Sequence, residues 1–308
     1  MLWGGAVPDG KSATKRASNG FVEDPGMNRK NERLRIISDN IHNRETVADV
    51  GTDHGFLPLY LWQRQKEQGA AGRPIILTDI SAESLHKARK NAQAHNASAT
   101  FDFRLGDGLT PIGSGEVDAV VIAGVGGALI AKMLGACPEK TVSFQKFLLQ
   151  PRNAVGKLRF WLDRAGFTIL AEPLAQEGKT ICEIIVAAPP QGGFVPADFE
   201  GEGADDIRYE IPGCASGWTP QQGLALPAER QAALYRAFLE NKIRVEESIL
   251  AQIIAGQEAA GDADAGHGAG ASAVNQVAGQ GATAQKRMVT EARIGALKTI
   301  AQREGIKL

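Results

Sequence analysis

Ala48-Asp49-Val50-Gly51-Thr52-Asp53-His54-Gly55 is the stretch whose reading decides the fold. It follows the β-branched pair Thr46-Val47 and precedes the apolar run from Phe56 to Trp62, so a buried strand turns into a helix there. Open α/β sheets bind ligands at such turns, in the crevice beyond the carboxyl ends of their strands. Glycine lets the backbone approach a ligand closely, and the neighbouring carboxylates can grip hydroxyl groups or a positive charge.

The same alternation continues downstream. Pro74 to Ile80 reads as a buried second strand ending in Asp79, with Ser81 capping a helix to about His95. Ala99 to Leu105 is a third strand, closing on Gly106-Asp107-Gly108. Val117 to Ala123 is a fourth, ending in Gly124-Val125-Gly126-Gly127 and followed by a helix to about Leu134. Lys146 to Gln150 is a fifth, running through Pro151 into a helix from Ala154 to Ala165. Aliphatic strands alternating with helices imply a parallel sheet covered on both faces. The pattern then changes: Phe167 to Gln176 and Thr180 to Ala188 are joined only by Glu177-Gly178-Lys179. That is too short for a crossover helix, so these two strands pair antiparallel. A parallel sheet finished by an antiparallel hairpin resembles the Rossmann-like fold of the class I S-adenosylmethionine (SAM) dependent methyltransferases.

Upstream, a helix is expected from Asn31, with Leu34, Ile37 and Ile41 on one face. Arg29, Lys30, Arg33 and Arg35 at its start form either a solvated face or a set of phosphate contacts. Residues 1–28 lack any helical or strand period and read as a disordered leader. Beyond the sheet domain, 29–190, an acidic linker over 191–226 leads to a helical region, 227–308. Its first helix places Leu239, Ile243, Leu250 and Ile254 on one face, and its last places Val289, Ala292, Ala296 and Ile300. Between them, residues 256–284 are low-complexity Gly and Ala, read as a flexible loop. Two such stripes bury each other in an antiparallel α-helical coiled-coil hairpin, giving a second, smaller domain.

Composition narrows the class. A net charge of −1 over 308 residues makes no global demand for a nucleic acid partner, so any basic surface is local. Cys137, Cys182 and Cys214 are odd in number and widely spaced, which argues against a disulfide framework or a zinc cluster and for a reducing cytoplasm. No apolar run approaches the roughly 20 residues of a membrane span.

The ligand follows from the turns. A dinucleotide fingerprint begun at Gly51 would put Asp53 and Phe56 where its second and third glycines belong, setting a carboxylate against a pyrophosphate. SAM makes the opposite demands, because it carries a sulfonium and an ammonium and has no phosphate. Asp49 and Asp53 suit its cationic end, Asp79 its ribose hydroxyls, and Asp107 its adenine amine. Each alone is as well explained as a helix cap; three acidic turns at successive strand ends favour SAM.

The segments Glu32 to Ile41, ADVGTDHGFLPLYL, PIILTDIS, FRLGDGL, VVIAGVGG and LLQPRN, with the hairpin closing at Thr180-Ile181-Cys182-Glu183, resemble the bacterial TrmK family of tRNA (adenine-N1) methyltransferases. The resemblance covers about Asn28 to Pro189, and the helical tail by architecture. It implies methylation of the adenine at tRNA position 22 by a monomer, with SAM as cofactor, tRNA as partner, and neither metal nor membrane. The residues expected to hold SAM are Asp49, Gly51, Asp53, His54, Gly55, Asp79, Ile80, Gly106, Asp107 and Gly108. Those expected at the reacting base are Asp53, His54, Gly124, Val125, Gly126, Gly127 and Gln150. The glycine loop is equally a tight strand-to-helix turn, His54 a structural histidine, and Gln150 a backbone-bonding residue. Lys286, Arg287, Arg293, Lys298, Arg303 and Lys307 give the last helix a basic bias suited to phosphates, or to a solvated surface. Tyr235 and Phe238 read as hairpin packing. The rival readings are a SAM enzyme acting on a small molecule or protein, and a catalytically inert RNA-binding protein.

Overall fold

The structure is a computed structural model that describes residues 31–42, 44–69, 73–213, 228–264 and 273–306, without the side chains of 258–264 and 273–280. The expected leader and the end of the expected linker, from 214 onward, lie outside the described residues. Asn31 caps the first helix, α1 (Glu32–Asp39), by accepting the Leu34 N–H at 3.2 Å. There follow β1 (Val47–Val50), α2 (Phe56–Glu67), β2 (Ile75–Asp79), α3 (Ala82–Ala94) and β3 (Phe101–Leu105). The second half runs β4 (Ala119–Val125), α4 (Gly127–Gly135), α5 (Pro138–Thr141), β5 (Lys146–Pro151) and α6 (Val155–Arg164).

Each strand expected in the antiparallel hairpin breaks in two. β6 (Thr168–Ala171) and β9 (Ile185–Ala188) join the main sheet, whereas β7 (Leu174–Glu177) and β8 (Thr180–Glu183) form a separate two-stranded ribbon. The main sheet has the order β3-β2-β1-β4-β5-β9-β6, with β9 antiparallel to both neighbours and the first five strands parallel. Side chains alternate across it: Ala119 and Val121 feed the core under α1, α2 and α3, while Val120 and Ile122 feed the core under α4 and α6. The strand order reverses between β1 and β4, so the crevice opens above Val50 and its neighbour Ile122.

After the short α7 (Ile207–Glu210), the tail is an antiparallel pair, α8 (Ala228–Asp264) and α9 (Ala273–Arg303). This corrects the expected flexible loop over 256–284. Alanine is the strongest helix former and each glycine costs only about 1 kcal/mol, so the Ala-rich segment carries both helices onward, with 265–272 outside the described residues. The buried face of α9 is also one position later than expected: Thr290, Ile294, Leu297 and Ala301 are buried, while Val289 and Ala292 are exposed. Burial follows the large side chains Ile294 and Leu297, because alanines at 292 and 296 would bury far less apolar area.

The base of the hairpin is built into the first core. Leu234, Tyr235, Phe238, Leu239 and Leu297 pack in one cluster with Leu34, Ile37 and Leu57, so Tyr235 and Phe238 are packing residues. The buried Gln231 bonds the backbone of Leu174 twice, donating to its carbonyl at 2.8 Å and accepting its N–H at 3.0 Å. Arg230 reaches Glu32 at 3.1 Å and Gln176 at 2.8 Å, tying α8 to α1 and the ribbon.

Candidate active site

The turn after β1 is a run of left-handed residues: Gly51 (φ 73°), Asp53 (φ 48°) and Gly55 (φ 70°). Asparagine and aspartate tolerate this region better than other side chains. A Cβ on Gly51 would meet nothing within 4 Å, whereas one on Gly55 would lie 3.1 Å from Ala88 of α3. Gly51 therefore faces the open crevice, and Gly55 lets α3 close against the turn. The loop is fastened at three points. Thr78 O accepts Gly51 N–H at 2.8 Å, Asp79 Oδ2 accepts Asp53 N–H at 3.1 Å, and Asn91 donates to His54 O at 2.9 Å. The other oxygen of Asp79 accepts Ser81 N–H at 2.8 Å.

Asp49 sits beneath this loop, 5% exposed, accepting one hydrogen bond from Thr52 Oγ1 at 2.7 Å. Burial pushes its pKa up to about 6; the Thr52 bond and the Arg33 charge pull the other way, and Asp79 adds to the rise. A buried carboxylate with so little compensation attracts a cation. Above it lies a cavity of about 250 Å³ whose walls include Asp49, Gly51, Asp53, His54, Gly124 and Arg152. The His54 ring stacks on Phe56 at 5.4 Å, so the bulky side chain that argued against a dinucleotide forms an aromatic wall.

Gly124 (φ 80°) lies at a register shift between β4 and β5, where Ala123 pairs with Gln150 and Val125 with Pro151. It stands between the first cavity and a second of about 210 Å³, and the two share Arg33, Gly124 and Arg152 as walls. Gln150, Glu177, Cys182 and Glu183 line the second. Arg33, reaching in from α1, donates to Glu177 Oε1 at 3.0 Å and to Gln150 Oε1 at 3.4 Å. Burial and then the Glu177 charge raise the Cys182 pKa, keeping the thiol neutral. Glu183 is held from behind by the buried Arg159 at 2.6 Å, which also pairs with Glu172 and donates to Tyr209 O at 2.9 Å. Burial opposes the Arg159 charge, but these two carboxylates hold it firmly protonated.

Not every expected residue meets in one place. Asp49, Gly51, Asp53, His54, Gly124 and Val125 share the first cavity, and Gln150 lines the second. Asp79 joins through its bond to Asp53, while Asp107 and Gly108 line a separate, largely apolar hollow with Leu129 and Met133. Gly106 is tied to this group by its N–H bond to Asp79 O at 3.0 Å. Ile80 (71% exposed) and Leu105 (60%) leave apolar side chains uncovered at the ends of β2 and β3. Gly126 and Gly127 line none of these cavities. A Cβ on Gly127 would stand 2.7 Å from Ala154 O, so this glycine serves the packing of α4 against the turn before α6. A larger, open depression between Ala136 and Val195 carries none of the strand-end carboxylates.

Sequence reading missed Glu177, which looked like part of a hairpin turn, and left Arg33 undecided. Their pairing spans 144 residues and has no local signal. Arg152 stood in view within LLQPRN without a role; it is exposed, and its guanidinium makes no hydrogen bond among the described residues.

The site suits SAM: a buried carboxylate able to meet a cation, a backbone opening above Gly51, and exposed apolar side chains beside the acidic turns. Strand order, terminal antiparallel strand and paired cavities define a Rossmann-like, SAM-dependent methyltransferase domain. Residues 30–185 match the family model for a methyltransferase domain. The tRNA (adenine(22)-N(1))-methyltransferase of Bacillus subtilis (strain 168) is 32% identical over 170 residues, covering 55% of this chain and 68% of that protein. The chain belongs to the bacterial TrmK family of tRNA (adenine-N1) methyltransferases. Two solved structures share its fold. Bacillus subtilis TrmK matches with a TM-score of 0.58 at 24% identity, over 88% of this chain and 97% of that one. Streptococcus pneumoniae Sp1610 in complex with S-adenosyl-L-methionine matches at 0.59 and 22%, over 87% and 97%.

Proposed function

We propose that this protein transfers the methyl group of SAM to N1 of an adenine in tRNA, at position 22 as in its Bacillus subtilis relative. The observation that carries this reading is the pair of cavities meeting at Arg33, Gly124 and Arg152. One carries the acidic and glycine features that suit SAM; the other has room and polar walls for a single base. SAM supplies a methyl on a positively charged sulfur.

Adenine N1 has an in-plane lone pair and carries no proton, so the reaction needs no base to deprotonate it. Holding the two partners in line is then the main task of the protein. Asp49 and Asp53 draw the cationic end of the cofactor into the first cavity, and Asp79 fixes the ribose. Ile80, with Gly106, Asp107 and Gly108, borders the adenine of the cofactor. Gly124 and Val125 form the wall where the two ligands meet, with His54 over the donor side and Gln150 on the base side. A base paired within tRNA has to be extruded to reach this depth.

Four of the basic residues that α9 was expected to offer to phosphates are ion-paired in the fold. On α9, Arg287 pairs with Glu291, Arg293 with Glu246, Lys298 with Glu247 and Arg303 with Glu304, while Lys307 lies outside the described residues. Arg152, at the shared mouth of both cavities, is better placed to meet a backbone phosphate. Among the described residues no helix is long and apolar enough to cross a membrane.

The test is incubation with labelled SAM and tRNA transcripts, followed by mapping of the methylated base. Label at N1 of one adenine is the expected result. Label confined to proteins or small molecules overturns the substrate, and no label despite tight tRNA binding overturns the enzyme.

A further inference from the structure

The second cavity carries information about which base it accepts. N1 of the target must point bare toward the first cavity, so the base has to be recognised through its other atoms. Next to N1, adenine carries an exocyclic amine, a donor, where guanine carries a carbonyl oxygen, an acceptor. A wall that presents an acceptor there admits adenine and repels guanine.

Most polar groups of this wall are already engaged. Gln150 donates to Pro151 O at 3.0 Å and accepts from Arg33 at 3.4 Å. Glu183 gives Oε2 to the buried Arg159 and is itself only 9% exposed, so it is taken up by the internal ion pair, and Cys182 offers a neutral thiol. Glu177 differs. Its Oε1 accepts from Arg33 Nε at 3.0 Å, while its Oε2 makes no hydrogen bond among the described residues. The side chain is 46% exposed, at the end of β7 beside the ribbon turn, so a ligand can reach it without unfolding anything.

We propose that the Glu177 carboxylate, oriented by Arg33, accepts a hydrogen bond from the exocyclic amine of the target adenine and selects this base for methylation. This deepens the function proposed above and rests on it. The carboxylate also favours the chemical step. As the N1–CH3 bond forms and the S–CH3 bond breaks, the electron pair of the breaking bond stays on sulfur and the positive charge passes to the base, with no proton transferred. A carboxylate hydrogen-bonded to the amine of that base gains attraction as the charge arrives. Arg33 is a positioning residue: its Nε holds Oε1 of this cavity-lining side chain and leaves Oε2 without a hydrogen bond among the described residues.

The experiment compares the full-length protein with its Glu177→Ala and Glu177→Gln variants in single-turnover methylation. The tRNA carries at the target position either adenine or purine, which lacks the amine. SAM affinity and melting temperature, unchanged in both variants, serve as controls for folding. The weaker nucleophilicity of purine affects every form of the enzyme equally and cancels in the comparison. For the wild type, a charge-assisted hydrogen bond contributes about tenfold to a hundredfold in rate beyond that common loss. Glu177→Ala should lose a similar factor on adenine, and then little more when the amine is removed, so the two losses do not multiply. Glu177→Gln, which keeps an acceptor oxygen without the charge, should retain part of the preference for adenine. Losses that multiply, with Glu177→Ala discriminating adenine from purine as well as the wild type does, overturn the assignment while leaving the function intact. A wild type that methylates no adenine in any tRNA overturns the function itself.

Discussion

Replacing Asp49 by Asn should make the ligand-free protein more stable and the cofactor complex weaker, and the first effect has a definite pH window. Asp49 has a pKa of 3.8 when exposed and about 6 in the fold, chiefly because burial disfavours its charge. Below about pH 4 the group is protonated in both states and costs nothing. Between about 4 and 6 the folded protein keeps a proton that the unfolded chain has lost, so stability falls as pH rises. Above about 6 the full cost remains, about 3 kcal/mol for a rise of this size. Asparagine removes that cost and can keep the Thr52 hydroxyl bond that now runs 2.7 Å to Oδ2. Thermal melts from pH 4 to 8 should therefore show the two proteins converging near pH 4. They should separate up to pH 6, with Asp49→Asn ahead by about 6–12 °C, at roughly 2–4 °C per kcal/mol. Titration calorimetry with SAM should show the reverse order at pH 7.5, a loss of about tenfold or more for the variant, because the carboxylate that repels burial also attracts the ammonium. Melting curves that stay parallel over the whole pH range would refute the burial argument. Equal SAM affinities would remove Asp49 from the cofactor site.

Asp79→Ala removes the acceptor for both Asp53 N–H and Ser81 N–H, so SAM affinity should fall by about tenfold to a hundredfold while tRNA affinity stays nearly constant. An unaltered SAM dissociation constant would exclude the ribose role. Gly127→Ala sets a methyl group 2.7 Å from Ala154 O and 3.0 Å from Asn153 O. Overpacking of this kind should cost about 1–3 kcal/mol in denaturant unfolding, and an unchanged midpoint would contradict the packing role. Arg159→Met leaves Glu172 and Glu183 buried without their cation. The expected loss is about 3–5 kcal/mol at neutral pH, shrinking toward acid pH as the carboxylates take up protons; a pH-independent loss would argue against the ion pairs. Truncation after residue 226 strips Leu234, Phe238, Leu239 and Leu297 from the core, so the fragment should lose cooperative melting and SAM binding together. A fragment that melts sharply and binds SAM would show the helical tail to be dispensable for folding.

The parts of this molecule that were legible in the sequence are those whose cause is local. Strand runs such as Val117 to Ala123 carry their own period, Asn31 and Ser81 announce helix starts, Asp79 ends a strand and Asp107 lies in the turn just after one. The alternation of these signals was enough for the parallel part of the sheet and for the turns at its carboxyl edge. What stayed hidden depends on partners distant in the chain. The breaks at 172–173 and 184 separate the ribbon from the sheet, and Glu172 and Glu183 converge there on Arg159 from α6. Glu177 reaches the site because Arg33 and Arg230 bind the ribbon from two other elements. The stripe on α9 was misplaced by one residue because small alanines fill both candidate faces, and only a partner helix decides which face is covered. Two acidic partners of that helix's basic residues, Glu246 and Glu247, were hidden for the same reason, since they lie on α8, about fifty residues away.

Arg33 connects the two halves of the chemistry. Its charge tempers the burial-driven rise of the Asp49 pKa beside the first cavity, and its Nε holds Glu177 beside the second. One guanidinium therefore partly balances a buried carboxylate on the side where a cation binds and orients a carboxylate on the side where positive charge arrives. In the proposed reaction, methyl transfer moves one positive charge from the first cavity to the second, past Gly124. Carboxylates lie at both ends of that path, Asp49 and Asp53 at the start and Glu177 at the end, with the arginine between them. Such an arrangement binds the donor through charge without penalising the product, because the carboxylate on the acceptor side offsets the attraction that the migrating charge leaves behind. A site with carboxylates only around the donor would hold the cation most tightly before transfer and would raise the barrier to the step it serves.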